Sequence, residues 1–177
     1  MAAASFTVPD MLVTTYLQMS CREQCAPVAP ERDDVRVEQI VNPTVEFYRF
    51  LYRSVGEQLR WRDRLIMPDA ELEAALKKPS TSVYVLQVGD HPAGYVELVR
   101  DGQATEIAYF GLFPQYQGIG LGKYLLSYAI ERAWEAGVER VWVHTCNLDS
   151  PHALDNYVRR GFQVYKVHQY PMPERYA

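Results

Sequence analysis

The chain has 177 residues, 48% of them hydrophobic and 23% charged, with 18 basic against 22 acidic side chains and a formal net charge of −4. That length suits one domain around a single core, and the composition excludes a disordered chain. The acidic balance and the lack of a basic, aromatic stripe argue against a nucleic-acid module, and no apolar run reaches the roughly 18 residues of a membrane span.

Met1–Asp10 has neither the basic start nor the apolar run of a secretory signal. Cys21, Cys25 and Cys146 are an odd, sparse set, and the C-x-x-x-C spacing has no accompanying His or second Cys pair. They predict a reducing, cytoplasmic setting and no metal site. The Pro-containing stretch Ala26–Pro30 divides an N-terminal extension, residues 1–30, from a main domain, residues 31–177. Within the extension, Met11–Met19 is rich in Val, Thr and Tyr and predicts an added edge strand.

The main domain opens with alternating Val35, Val37, Gln39 and Val41, a strand pattern. Asn42-Pro43-Thr44 signals a helix start, and Val45, Tyr48, Leu51, Tyr52 and Val55 carry helical spacing up to Gly56. A second short helix is expected over Ala70–Lys77. Thr81–Val88 and Ala93–Arg100 read as a hairpin about Gly89-Asp90-His91-Pro92, and Ala104–Phe113 as a third antiparallel strand. A long helix follows from about Ile119 to Ala136, with Leu121, Leu125, Leu126, Ala129, Ile130 and Ala133 on one stripe. Val138–Cys146 reads as a strand. Ser150-Pro151 reads as an N-cap with Pro at the first helical position, opening a helix to Arg160, and Phe162–Tyr170 as the last strand. The order predicts an α+β, mixed α/β architecture and not a run of βαβ units.

The segment richest in chemistry is Phe110-Gly111-Leu112-Phe113-Pro114-Gln115-Tyr116-Gln117-Gly118-Ile119-Gly120-Leu121-Gly122-Lys123. Glycines between a strand end and a helix start allow close backbone approach, and the first helical turn offers free N–H groups to a phosphate or diphosphate. It is not a P-loop, because Gly122-Lys123 is followed by Tyr124 and position 117 is Gln. It is not a dinucleotide fingerprint either, because the third glycine position after Gly118 and Gly120 is Lys123.

Gln117, Gly120 and Gly122 resemble the acyl-CoA-binding motif Q/R-x-x-G-x-G/A of the GNAT superfamily of N-acetyltransferases. Asn147, Ala153, Tyr157, Gly161 and Phe162 resemble that family's last motif. The resemblance runs from Val35 to about Tyr170. It implies a splayed central mixed sheet flanked by helices, here with the extra N-terminal strand, in which Ala104–Phe113 and Val138–Cys146 part to admit acetyl-CoA as co-substrate. It implies that Phe110 and Leu112 receive the acetyl and pantetheine groups, and that the amides of Gly118, Ile119, Gly120, Leu121 and Gly122, with Gln117 and Lys123, receive the diphosphate. Asn147, or alternatively Asn156, is the implied cofactor contact near Tyr157.

The resemblance also implies roles in catalysis: the Leu112 N–H as oxyanion donor and Tyr157 as general acid. Glu106 is the candidate base. By period 2 it shares a sheet face with Ala108 and Phe110, where a carboxylate must be solvated, paired or functional. Glu97 and His144 are rival proton acceptors. Tyr48, Tyr52 and Trp61 are candidates for the acceptor wall, and Arg60, Arg62 and Arg64 for binding a carboxylate. The expected activity is acetyl transfer by direct attack of a primary amine, on a small molecule or a peptide. A silent acyl-CoA sensor and an O-acetyltransferase are the alternatives. No nucleic-acid or membrane partner is expected, and the family's habit of pairing implies a homodimer through an edge strand or through Phe162–Tyr176.

Overall fold

The computed structural model describes residues 8–176. The first seven residues, part of the stretch read against a signal peptide, lie outside the described residues. The described chain forms strands β1 (Met11–Met19), β2 (Val35–Ile40), β3 (Thr81–Val88), β4 (His91–Asp101), β5 (Ala104–Leu112), β6 (Arg140–Cys146) and β7 (Gln163–Pro171). Its helices are α1 (Val45–Gly56), α2 (Asp63–Ile66), α3 (Asp69–Leu76), α4 (Leu121–Glu135) and α5 (Ala153–Arg159). No helix among the described residues is long and apolar enough to cross a membrane.

One sheet contains all seven strands in the order β2-β3-β4-β5-β6-β1-β7, and its one parallel pairing is β5 with β6. Helix α1 starts where Thr44 Oγ1 accepts the Phe47 N–H at 3.1 Å, a side-chain N-cap. It buries Tyr48, Leu51, Tyr52 and Val55 with Leu72 and Leu76 of α3 against one sheet face. Helix α4 buries Leu125, Leu126, Ala129, Ile130 and Ala133 against the other. Each face is thus sealed by a helical stripe of the width that the sequence spacing predicts.

Three sequence expectations change. The N-terminal strand is not at an edge: β1 lies between β6 and β7, antiparallel to both. Leu12, Leu17 and Met19 are buried there, so the extension completes the main core. Helix α5 begins at Ala153, and Ser150 is not its cap; the Ser150 hydroxyl instead accepts from the His152 N–H, at 3.4 Å, in the preceding turn. Helix α2, one turn long, was not expected. It has no capping side chain of its own, and Arg49 holds it by donating to the Arg64 and Met67 carbonyls at 3.2 and 2.6 Å.

Candidate active site

The parallel pairing of β5 and β6 runs only from Ala104 opposite Arg140 to Ile107 opposite Val143. Beyond Ile107 the strands part. On the other edge of β5 the ladder has a bulge: Glu97 faces Tyr109 and Leu98 faces Ile107, leaving Ala108 as the extra residue. The bulge reverses the side-chain alternation. Ile107 and Phe110 both pack on the α4 side, while Tyr109 joins the α1 side. Glu106 therefore does not share a face with Phe110, as an unbroken period of 2 predicted, but looks out on the α1 side.

The backbone consequence matters more. The Phe113 N–H donates to the Ala93 carbonyl on β4 at 2.8 Å. In an antiparallel ladder such bonds alternate, so the polar groups of Phe110 and Leu112 turn toward the side that β6 has left. A cavity of about 1250 Å³ fills that gap, and Phe110, Gly111 and Leu112 line it.

The glycine segment lies at one end of this cavity. Gly118 and Gly120 have φ of 77° and 85°, left-handed values that disfavour any residue with a Cβ. A Cβ built on Gly118 would meet no atom within 4 Å, and one on Gly120 would meet only the Glu31 carboxylate, at 3.9 Å. Gly120 is the N-cap of α4, whose first-turn N–H groups lack helical partners. Gln117 Nε2 donates to the Leu112 carbonyl at 3.3 Å, tying the turn to the strand end. Gly118, Gly120, Gly122, Gln117 and Lys123 all line the cavity, and Arg159 and Arg160 add positive charge to its wall. Ile119 is about half-exposed and Leu121 is buried in the core, and neither side chain lines the cavity. This open cradle, cationic and rich in main-chain donors, fits an anionic diphosphate.

Tyr157 is 7% exposed and reaches the same cavity. Its ring sits 6.2 Å from that of Phe110 and 5.9 Å from that of Phe162. Burial, and then the charge of Asp149, push its phenol well above the ordinary tyrosine range. Asn156 also lines the cavity. Asn147 does not: its side chain accepts from the Val13 N–H at 3.0 Å and donates to the Met11 carbonyl at 2.9 Å. The inserted β1 has taken the asparagine that the motif assigned to cofactor.

The other end of the cavity holds the proton acceptors and the aromatic wall. Glu106 Oε1 lies 3.3 Å from His144 Nδ1 across the parting strands, and both side chains are partly open. Tyr52, Trp61 and Tyr109 form a triangle of rings 5.1–5.3 Å apart that lines this end. Tyr48 is not part of the wall. It is fully buried and donates its hydroxyl to Glu97. Glu97, also fully buried, accepts from Arg64 at 2.5 Å. Burial pushes the Glu97 carboxyl upward against the pull of Arg64 and Tyr48. With both oxygens engaged and no solvent contact, Glu97 anchors α2 to the sheet, and Arg64 is committed to that pair. The Cys146 thiol, which also lines the cavity, is pushed up to about 11 by burial and by Asp149, so it stays neutral.

Asp149 was not singled out by any motif. Its Oδ1 accepts the Trp61 indole N–H at 3.2 Å, and its Oδ2 accepts the Thr145 hydroxyl at 2.8 Å and the Cys146 N–H at 2.9 Å. A polar residue two or three positions beyond a strand end is a local turn signal, but the partner 88 residues away leaves no trace in spacing.

A mixed sheet that opens between its two parallel strands, beside a glycine turn at a helix N-terminus, defines an α+β domain of acyltransferase type. The sequence pattern of the Acetyltransferase (GNAT) family matches residues 44–162, and the chain belongs to that family. It is 34% identical over 85 residues to the uncharacterised N-acetyltransferase YvbK of Bacillus subtilis (strain 168), an alignment covering 48% of this chain and 54% of that protein, about half its length. The fold resembles that of a functionally unknown conserved protein from Staphylococcus epidermidis, with a TM-score of 0.67, 17% identity, and coverage of 90% of this chain and 60% of that one. It also resembles the aminoglycoside acetyltransferase meta-AAC0020 from an uncultured soil metagenomic sample, with a TM-score of 0.60, 19% identity, and coverage of 72% and 88%.

Proposed function

We propose that this protein is a cytoplasmic acyltransferase that moves an acetyl group from acetyl-CoA to a primary amine by direct attack. The observation that carries this reading is the parting of β5 and β6 beyond Ile107, which opens the backbone of Phe110 and Leu112 onto a cavity shared by the glycine turn and Tyr157. Acetyl-CoA, when bound, supplies an activated acetyl thioester. Gly118, Gly120, Gly122 and Gln117 would hold its diphosphate, Phe110 and Leu112 its pantetheine arm, and Asn156 its neighbourhood near Tyr157.

The chain's own groups then supply the proton chemistry. Glu106, paired with His144, accepts the proton that an incoming ammonium must lose before its nitrogen becomes a nucleophile. The Leu112 N–H, free of the β4 ladder, donates where negative charge develops on oxygen. Tyr157 keeps its proton through the neutral range and donates it on the sulfur side.

Titration calorimetry with acetyl-CoA, followed by free-thiol release with a panel of amines, tests the reading. Binding with amine-dependent thiol release supports it. Glu106→Gln is expected to lower kcat/KM about a hundred-fold with acetyl-CoA binding retained. Absence of acetyl-CoA binding overturns the proposal.

A further inference from the structure

The acceptor end of the cavity is crossed by the chain's own C-terminal segment. After β7, the outermost strand of the arm that carries β6, residues 172–176 turn back toward the other arm. Tyr176 OH donates to Asp63 Oδ2 at 2.7 Å and Arg175 Nε to Asp63 Oδ1 at 2.8 Å, so both oxygens of Asp63 are taken. Arg60 Nη1 donates to the Tyr176 carbonyl at 3.1 Å. Arg60 has φ of 59°, a left-handed backbone that a non-glycine residue adopts only under local constraint. Tyr176 and Tyr170 line the cavity from this side, facing the wall of Tyr52, Trp61 and Tyr109. The Trp61–Asp149 bond spans the same opening.

An extended polypeptide acceptor needs room for the lysine stem and, at the pocket mouth, for backbone on both sides of it. Here three hydrogen bonds of the strap and a fourth from Trp61 cross that passage. What remains is a short pocket lined by Tyr52, Trp61 and Tyr109 with Glu106 on its border. Arg64 already covers the Tyr109 face, its guanidinium carbon 5.3 Å from the ring centroid, so the pocket suits a compact amine that gives up its proton to Glu106. Resting on the proposed acetyl transfer, we infer that Asp63 and Tyr176 are specificity-determining residues that restrict the acceptor to small free amines and exclude the lysine side chains of peptides.

The test uses the full chain, a variant lacking residues 172–177, and Asp63→Ala, each checked for cooperative melting. The probes are a panel of alkyl, aryl and polyamine small amines and an N-terminally blocked lysine-containing peptide. The full chain is expected to favour its best small amine over the peptide by about ten-fold or more in kcat/KM, the discrimination that one lost contact set supplies. Both variants should narrow that ratio while acetyl-CoA binding is unchanged. Calorimetric titration of the amines into protein without acetyl-CoA should show the small-amine binding weakened in both variants. Equal use of peptide and small amines by the full chain, or a ratio unmoved in both variants, overturns the inference while leaving acetyl transfer standing. Acetyl-CoA binding with neither class acetylated overturns the transfer reading, and the inference with it.

Discussion

The indole N–H of Trp61 meets the carboxylate of Asp149 at 3.2 Å, a bond between the loop after α1 and the turn after β6 that bridges the two arms of the parted sheet. Each end of the bridge is locked locally. Trp61 packs so tightly on Gly56 that a Cβ there would run into the indole, and the Trp61 backbone N–H donates to the Gly56 carbonyl at 3.0 Å. Asp149 is held by Thr145 and by the Cys146 amide. Asp149→Ala removes the acceptor from two partly buried N–H donors and one hydroxyl. It is expected to cost about 1–3 kcal/mol, the penalty of leaving such groups unpaired. Denaturant unfolding measures it, and a change in tryptophan emission that disappears in a Trp61→Phe background locates the effect. A stability within about 0.5 kcal/mol of the parent, the range of ordinary surface changes, counts against the bridge.

Tyr157 carries the pH prediction. Burial and then Asp149 favour its neutral form, so its folded value lies above its unfolded value near 10. Above about pH 10 the unfolded chain loses this proton before the folded one does, so the folded state binds more protons and stability falls as pH rises. Tyr157→Phe removes that component of the alkaline fall, which pH-dependent unfolding detects. In the proposed reaction the alkaline limb of kcat lies above pH 10, and Tyr157→Phe lowers kcat about a hundred-fold with acetyl-CoA affinity retained. An unaltered kcat would remove Tyr157 from the proton-donor role.

The parts of this architecture that local chemistry dictates were legible in the sequence. Thr44 caps α1 as its position suggests, the α4 stripe from Leu125 to Ala133 is buried, and the glycine turn opens α4 with the positive φ values that glycines permit. What escaped depends on neighbours remote in the chain. The Val, Thr and Tyr content of Met11–Met19 announces a strand but not the two strands it will lie between, and that insertion redirected Asn147. The bulge at Ala108 has no composition signal, and it moved Glu106 to the opposite face from the one that period 2 predicts. Tyr48 and Tyr52 sit on one helix face in sequence; a buried carboxylate at Glu97 took the first into the core, and only the second reaches the cavity.

Glu31, in the stretch before β2, stands beside the glycine turn where the proposed function puts the diphosphate. Its carboxylate lies 3.4 Å from Lys123 Nζ, and it is the group nearest to a Cβ placed on Gly120. Both side chains are largely open to solvent, so the pair itself contributes little to stability. Its effect on a bound diphosphate is different in kind. Glu31 adds negative charge beside the glycine turn and engages the one lysine of that turn, and an acetyl-CoA diphosphate must displace or tolerate it. Glu31→Gln removes the charge with the same number of heavy atoms. It is expected to tighten acetyl-CoA binding about two- to five-fold at low salt, the range for an exposed charge pair, with the gain fading as salt screens it. Lys123→Ala should then weaken binding more in the Glu31→Gln background than in the parent, because only there is the lysine unengaged; a double-mutant cycle by titration calorimetry reads that coupling. Equal affinities for the parent and Glu31→Gln at low salt would place the diphosphate away from Lys123 and the N-terminus of α4.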